Sequence, residues 1–424
     1  MTDGSNGQAP ERLRTTIFAG LIGNVLEWYD FAVYGYFAHI IGQQFFPSSD
    51  PAVSTIAAFG AFAAGFLVRP IGGIVFGQIG DLFGRKRAML LSVICMAVPT
   101  FLIAFLPTYA SIGVFAPILI VVLRIVQGLS VGGEYTSSLI YLAEHAPKGR
   151  RGRIASWGMV GAVGGILLGS GVGALIATIL PEDAAAEWGW RIPFALGIVV
   201  AFTGVLVRRG AAELQTKPAT ATPLRDSFVI YGRSVLRVIG MNIAMGVVFY
   251  AAFVYSVTYI TQIDRLPSEI AFDINTASMV VLLIAVPVFA ILSDRVGRRP
   301  MMIAGLLALA VGGVPIFELM HHSDPSLVFA GQALLALFFG IYAGGIVGAN
   351  VESLPHHVRC TGLAFAYNVA IGVFGGTTPM VCAALIAEFG NPVAPGYYVA
   401  ASAVISLAVV LLWVKETAFD EIDS

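Results

Sequence analysis

The run GQIGDLFGRKR, residues 77–87, returns in altered form as AILSDRVGRRP at 290–300. Gly77, Asp81, Gly84 and Arg85 become Ala290, Asp294, Gly297 and Arg298, 213 residues later. Each residue type has a physical role: the first Gly lets helices approach, the acid ends a helix at the membrane surface, the second Gly turns the chain, and the basic run stays in water. The Asp can pair with an Arg or sit at a neighbouring helix N-terminus, so that it latches two helix ends together. A single copy reads equally well as a plain helix stop, but two copies at equivalent places favour the latch. A second motif, Glu144, Pro147 and Arg151 in the spacing ExxPxxxR, recurs as Glu352, Pro355 and Arg359 at an offset of 208. Two independent motifs with nearly one offset divide the chain into repeated halves.

Composition states the setting of that repeat. The chain has 424 residues, of which 57% are hydrophobic and 12% charged, and its mean hydropathy is +0.84. A soluble protein of this size is excluded. At about 20 apolar residues per spanning helix, the stretches between polar, Gly and Pro breaks make twelve candidate spans. The spacing predicts an all-α integral membrane protein of two six-helix bundles, 1–207 and 234–424, joined by a charged, Pro-rich cytoplasmic linker at 208–233. Alternate loops hold 20 of the 24 Lys and Arg residues, whereas the opposite loops hold only Arg191 and Arg265. By the positive-inside rule both termini are expected in the cytoplasm, in a multi-pass plasma-membrane protein of the bacterial inner membrane. The polar N-terminus lacks a small-residue cleavage site, which argues against a removable signal peptide.

A net charge of −1 leaves no basic surface for nucleic acid. Cys95, Cys360 and Cys382 have no CxxC spacing, and the pairs His321–His322 and His356–His357 lie near loop ends, so no metal site or disulfide framework is expected. No GxxxxGK[ST] loop occurs, which removes ATP hydrolysis, and no catalytic constellation suggests an enzyme.

The longer motifs carry a specific resemblance. GxxGDxxGRK and SDRVGRRP resemble the signature loops of the major facilitator superfamily. GNVLEWYDFAVYGYFA, FLVRPIGG, RIVQGLSVGGEYTSSLIYLAEHAP and EWGWRIPF are similar to the metabolite:proton symporter family within it. The match runs from about Gly23 to Glu416. It implies the major facilitator fold, with pseudo-twofold symmetry and alternating access to a midplane site. Relatives carry α-ketoglutarate, shikimate, citrate, or proline and betaine with protons. Ala290 departs from the pattern at the place of Gly77, which predicts looser packing in the second latch.

Ionisable groups within the spans cost about 2.5–3.5 kcal/mol each on insertion scales, so each marks a cavity, a partner or a function. Five stand out: Glu27, Asp30, Arg69, Arg124 and Glu134. Asn24, Glu27, Asp30 and Tyr34 follow one stripe of the first span. Arg124, Gln127, Glu134 and Ser138 follow one of the fourth, with Tyr135 at its edge and Val131 interrupting it. Three acids against two arginines leave one carboxylate over, and that group is the candidate proton carrier. Asp30 is the first choice, Glu134 the second and Glu27 the third. Arg124 and Arg69 are assigned to a substrate carboxylate, with Gln127, Tyr135, Tyr34, Tyr250, Asn350 and Asn368 completing the site. The resemblance also links an Arg at the position of Arg124 to proton coupling. The gating latch is assigned to Asp81, Arg85, Asp294, Arg298, Glu144, Arg151, Glu352 and Arg359.

The function read from this pattern is proton symport of a small organic acid, mono- or dicarboxylate, by a monomer in a lipid bilayer. The alternative is symport of a zwitterionic osmolyte such as proline or betaine. The proton is the coupling ion and no other cofactor is expected.

Overall fold

Backbone polar groups in hydrocarbon must be satisfied within their own segment, which favours uninterrupted helices. The computed structural model describes residues 21–198 and 229–420 apart from 22, 23, 26 and 84; the side chains of Asp81, Arg85 and Glu134, named above as site residues, also lie outside the described part. The helices are α1 (27–45), α2 (Pro51–Leu67 running on as Arg69–Phe83), α3 (Arg85–Phe105), α4 (Phe115–Ser130 running on as Glu134–Glu144) and α5 (Arg151–Ile179). They continue with α6 (from 191), α7 (Gly232–Gln262), α8 (Ser268–Val296), α9 (Arg298–Met320), α10 (Pro325–Glu352), α11 (Val358–Phe389) and α12 (Ala394–Trp413). Six helices precede and six follow the stretch 199–228, which contains most of the expected linker. Among the described residues nine helices are long and apolar enough to cross a membrane.

Two features shape the helices around the centre. At 131–133 the fourth span leaves the α-helix, so Arg124 and Gln127 sit on one helical segment and Tyr135 and Ser138 on another. The single stripe read from the sequence is broken at the residue that interrupted it, because the turn resets the helical phase. Wide π turns occur in α7 at Ala251–Tyr255 and in α11 at Ala370–Gly375. Such turns are rare and favour functional sites.

The halves meet through different chemistry at their two ends. At the basic end Asp294 accepts hydrogen bonds from the backbone N–H groups of Gly152 and Arg153, both 2.9 Å, at the N-terminus of α5. It also pairs with Arg298 at 2.7 Å. The second copy of the repeated loop thus holds a helix N-terminus and an Arg at once. Between Asp294 and Arg298, Gly297 has φ +115, a conformation that favours glycine and turns α8 into α9. Arg298 forks onto Glu352 with Nε and Nη2 at 3.2 and 3.1 Å. The ExxPxxxR motifs pair crosswise: Arg359 of the second half reaches Glu144 of the first at 2.8 Å, and Arg151 of the first approaches Glu352 of the second at 3.9 Å. The chain after α12 adds a clamp. Glu416 accepts from the backbone N–H groups of Arg298 and Arg299 at 2.8 and 3.0 Å, capping α9, and Arg151 donates to the Asp420 carbonyl at 2.8 Å.

The opposite end is sealed without ion pairs between the halves among the described residues. Asn275 of α8 is buried, and its amide spends all its capacity. It accepts from Ser256 and Gln332 at 3.0 and 2.8 Å within its own half, and donates to Tyr36 and Ser170 of the first half at 3.0 and 3.1 Å. In the turn after α7, burial pushes the Asp264 carboxyl up to about 6, against the His321 ring 2.6 Å away, which holds it down.

Opening this end must break the two hydrogen bonds from Asn275 to Tyr36 and Ser170. At about 1 kcal/mol net for each, Asn275→Ala should raise the open population roughly 10- to 30-fold. The measurement is the alkylation rate of a cysteine placed at Val254 in a chain freed of its own three cysteines. A rate unchanged by Asn275→Ala contradicts this role.

Candidate functional site

Between the two seals the halves leave a small cavity lined by Trp28, Tyr135, Met159, Ala162, Met245, Phe249, Tyr250, Tyr367 and Ile371. Its walls are aromatic. The Trp28 ring lies edge-on to Tyr135 and Phe249, each at 5.8 Å, and is tilted toward Tyr250 at 6.4 Å. Tyr135 of the first half and Tyr367 of the second stack at 5.0 Å and close the floor between them. The methionines add an adaptable thioether wall.

Arg69 stands at the edge of this cage. Its guanidinium lies 3.9 Å from the Phe66 ring centre, 4.3 Å from Phe31 and 5.9 Å from Trp28. It is 1% exposed. Its Nε and Nη2, the indole N–H of Trp28 and the hydroxyl of Tyr250 are buried and make no hydrogen bond among the described residues. Buried donors are normally paired, so a cluster of idle donors around one cavity points to an acceptor that arrives from outside. Glu27, buried on the same helix as Trp28, is close enough to act electrostatically on Tyr135 and Tyr250.

A second polar cluster involves the same helix. Asp30 accepts from Thr100 of α3 and, at 2.9 Å, from the Gln127 amide of α4. Arg124 lies over the Tyr34 ring at 3.9 Å and feels the Asp30 charge. All three guanidinium nitrogens of Arg124 lack hydrogen-bond partners among the described residues. The Tyr34 hydroxyl donates to the Ala58 carbonyl at 3.1 Å.

The residues expected at one site therefore fall into separate groups. Tyr135 and Tyr250 line the cavity and Arg69 borders it. Arg124, Gln127 and Tyr34 gather with Asp30 and are not among the cavity-lining residues. Asn350 forms a reciprocal amide pair with Asn242, at 2.7 and 3.2 Å, inside the second half. Asn368 donates across the halves to the Gly132 carbonyl, which the turn in α4 leaves free, and so belongs to the seal beneath the cavity. Trp28, Phe249, Met159 and Met245 were not singled out from the sequence, because an apolar residue in an apolar helix carries no signal of its own. Trp28, which lies next to Glu27, had the one available cue.

A helical bundle in two halves, sealed at both ends around a buried cavity with idle donors, defines a membrane carrier. Residues 15–209 match the family model described as "Sugar (and other) transporter", and residues 266–422 that of the "Major Facilitator Superfamily". The proline/betaine transporter of Escherichia coli (strain K12) is 36% identical over 425 residues, covering 96% of this chain and 84% of that one. A glycine betaine/proline/ectoine/pipecolic acid transporter of Dickeya dadantii is 36% identical, with the same coverage of both chains. A solved proton:xylose symporter bound to 6-bromo-6-deoxy-D-glucose superposes with a TM-score of 0.77 at 18% identity, over 96% of each chain. The chain belongs to the major facilitator superfamily and, with these relatives, to its metabolite:proton symporter family.

Arg69→Lys keeps the charge but loses the planar surface against Phe31 and Phe66 and the forked donors. Affinity for the carried solute should fall about tenfold or more, since Arg stacking and bidentate geometry are not reproduced by an ammonium. Calorimetric titration of purified protein measures this, and parental affinity in the Lys variant contradicts the assignment.

Proposed function

We propose that the protein imports a zwitterionic osmolyte of the betaine or proline kind together with a proton. The transport runs across the bacterial plasma membrane with the basic end of the bundle in the cytoplasm. The observation that carries the reading is the pairing of an aromatic cage with idle donors at its rim. The negative ring faces of Trp28, Tyr135, Tyr250 and Tyr367 suit a cationic nitrogen, and Arg69, the Trp28 indole and the Tyr250 hydroxyl suit a carboxylate.

The organic-acid reading of the sequence gives way to its alternative on two grounds. A dicarboxylate needs a second cation in the cavity, and Arg124, assigned to that role, lies over the Tyr34 ring and is not among the residues that line it. The second carboxylate would also face ring surfaces of its own sign. Relatives named for proline and betaine, with 36% identity along nearly the whole chain, support the same choice.

In this scheme Asp30 carries the coupling proton. Protonation removes the negative partner of Arg124, and its loss restores the pair, so the electrostatics of the first half alternate with each cycle. Substrate and proton enter from the face sealed by Asn275. The cage closes over the solute, and the Arg–Glu pairs at the basic end then part to release both inside. Glu134, whose side chain lies outside the described residues, and Glu27 remain secondary candidates for the proton. A single chain in the bilayer contains every group the scheme uses.

In proteoliposomes an inward proton gradient should drive accumulation of radiolabelled glycine betaine. A protonophore should abolish accumulation and leave counterflow exchange, and excess succinate should compete poorly. Asp30→Asn, fixed in the neutral form, should lose gradient-driven uptake while exchange persists. Accumulation that follows sodium, or succinate that displaces betaine, would overturn the reading.

A further inference from the structure

The Asp30 pocket holds one group with a hydrogen-bond count that differs from its neighbours. The Thr100 hydroxyl has a single hydrogen and faces two acceptors, the Asp30 carboxylate and the Met96 carbonyl, the latter at 2.8 Å. It also receives a hydrogen bond from the Gln127 amide at 2.6 Å, while that amide donates to Asp30 at 2.9 Å. A hydroxyl offers one donor and two lone pairs. With Asp30 ionised, Thr100 donates to the carboxylate. With Asp30 protonated, the new O–H of Asp30 donates to the Thr100 oxygen, and the Thr100 hydrogen turns to Met96, whose carbonyl already stands within reach. Both states keep the Thr100 hydroxyl and the Asp30 oxygen it faces paired, and only one hydrogen rotates.

We propose that Thr100 is a positioning residue for proton coupling, a rotating hydroxyl that lets Asp30 pass between its charged and neutral forms. Gln127 presents its amide nitrogen to Asp30, which donates and suits the carboxylate; it could accept from protonated Asp30 only by turning its whole amide, whereas Thr100 need turn only one hydrogen. Among the described residues the groups around Asp30 are few: Arg124 supplies the positive charge from α4, Tyr29 is the titratable neighbour on α1, α3 contributes the neutral Thr100, and α6 presents Gly197. A Cβ at position 197 would lie 2.7 Å from the Thr100 methyl and 3.5 Å from Asp30, so α6 closes the pocket with backbone and admits no competing side chain. Thr100 itself is 1% exposed, which keeps water from replacing its hydroxyl.

This inference rests on Asp30 carrying the coupling proton, and its test separates the two. Initial rates of gradient-driven uptake of radiolabelled glycine betaine are measured in proteoliposomes across a range of external pH, for the parent, Thr100→Val, Thr100→Ser and Asp30→Asn. Thr100→Val keeps the shape but strips a charge-assisted bond from the ionised form and only a neutral one from the protonated form. The pH midpoint of uptake should therefore move up by about one unit. Thr100→Ser restores the hydroxyl and should return the parental midpoint. Where Val yields too little folded protein, Thr100→Ala carries the same expectation. A parental midpoint in Thr100→Val, or a Ser variant shifted as far as Val, overturns the role of Thr100 while Asp30→Asn still abolishes driven uptake. If Asp30→Asn keeps driven uptake with the parental pH profile, the Asp30 reading fails and the role of Thr100 falls with it.

Discussion

A guanidinium enclosed by aromatic rings, with two of its donors idle among the described residues, is the constraint on which this structure turns. Arg69 is 1% exposed and lies against Phe66, Phe31 and Trp28. A charge in such a place is costly unless it is compensated. The rings compensate in part through their negative faces, and Nε and Nη2 keep idle donors. The idle donors of Trp28 and Tyr250 beside it follow the same logic. A carrier gains from this arrangement because an empty site that satisfied itself would have no reason to bind.

Helix α1 connects that site to the proton. Trp28 looks into the cavity, and Asp30, two residues on, is turned by helical geometry toward α3 and α4. In the proposed scheme solute and proton act on opposite sides of one helix. The glycines at 161, 165 and 169 of α5 let α1 pack closely, each with backbone or a small side chain of α1 against its open face. Any rotation or tilt of α1 is felt by both clusters. Beyond them, the seals differ in kind. Crossed carboxylate and guanidinium groups hold the basic end, whereas the other end relies on neutral hydrogen bonds, those of the Asn275 amide and that between Ser170 and Thr276.

Much of the fold was legible because its signals are periodic or repeated. The twelve spans, the two halves and the crossed ExxPxxxR motifs follow from hydropathy, loop charge and internal offset, each a sum over many residues. The Asp294 latch was legible too, since a Gly–Asp–Gly–Arg run permits few geometries at a helix end. The site was less so. Charged residues announced themselves by their rarity, and Arg69, Tyr135 and Tyr250 do meet at the cavity. Helical spacing placed Asp30, Arg124 and Gln127 together, but it could not tell which way that group faced. The turn at 131–133 shows why: three residues that leave the α-helix reset the phase, and the downstream half of the stripe points elsewhere. Thr100 carried no cue, because a hydroxyl within an apolar span usually bonds its own helix and does nothing more.

The central claim is that the aromatic faces recognise the positive charge of the solute and not merely its bulk. Glycine betaine and 3,3-dimethylbutyrate have the same shape and the same carboxylate, but a carbon replaces the quaternary nitrogen in the second. Calorimetric titration of the purified protein with each isolates that charge. A desolvated cation–π contribution of about 2 kcal/mol predicts that betaine binds roughly 30-fold more tightly than its tert-butyl isostere. Equal affinities would mean that the cage selects by volume alone, and would contradict the account.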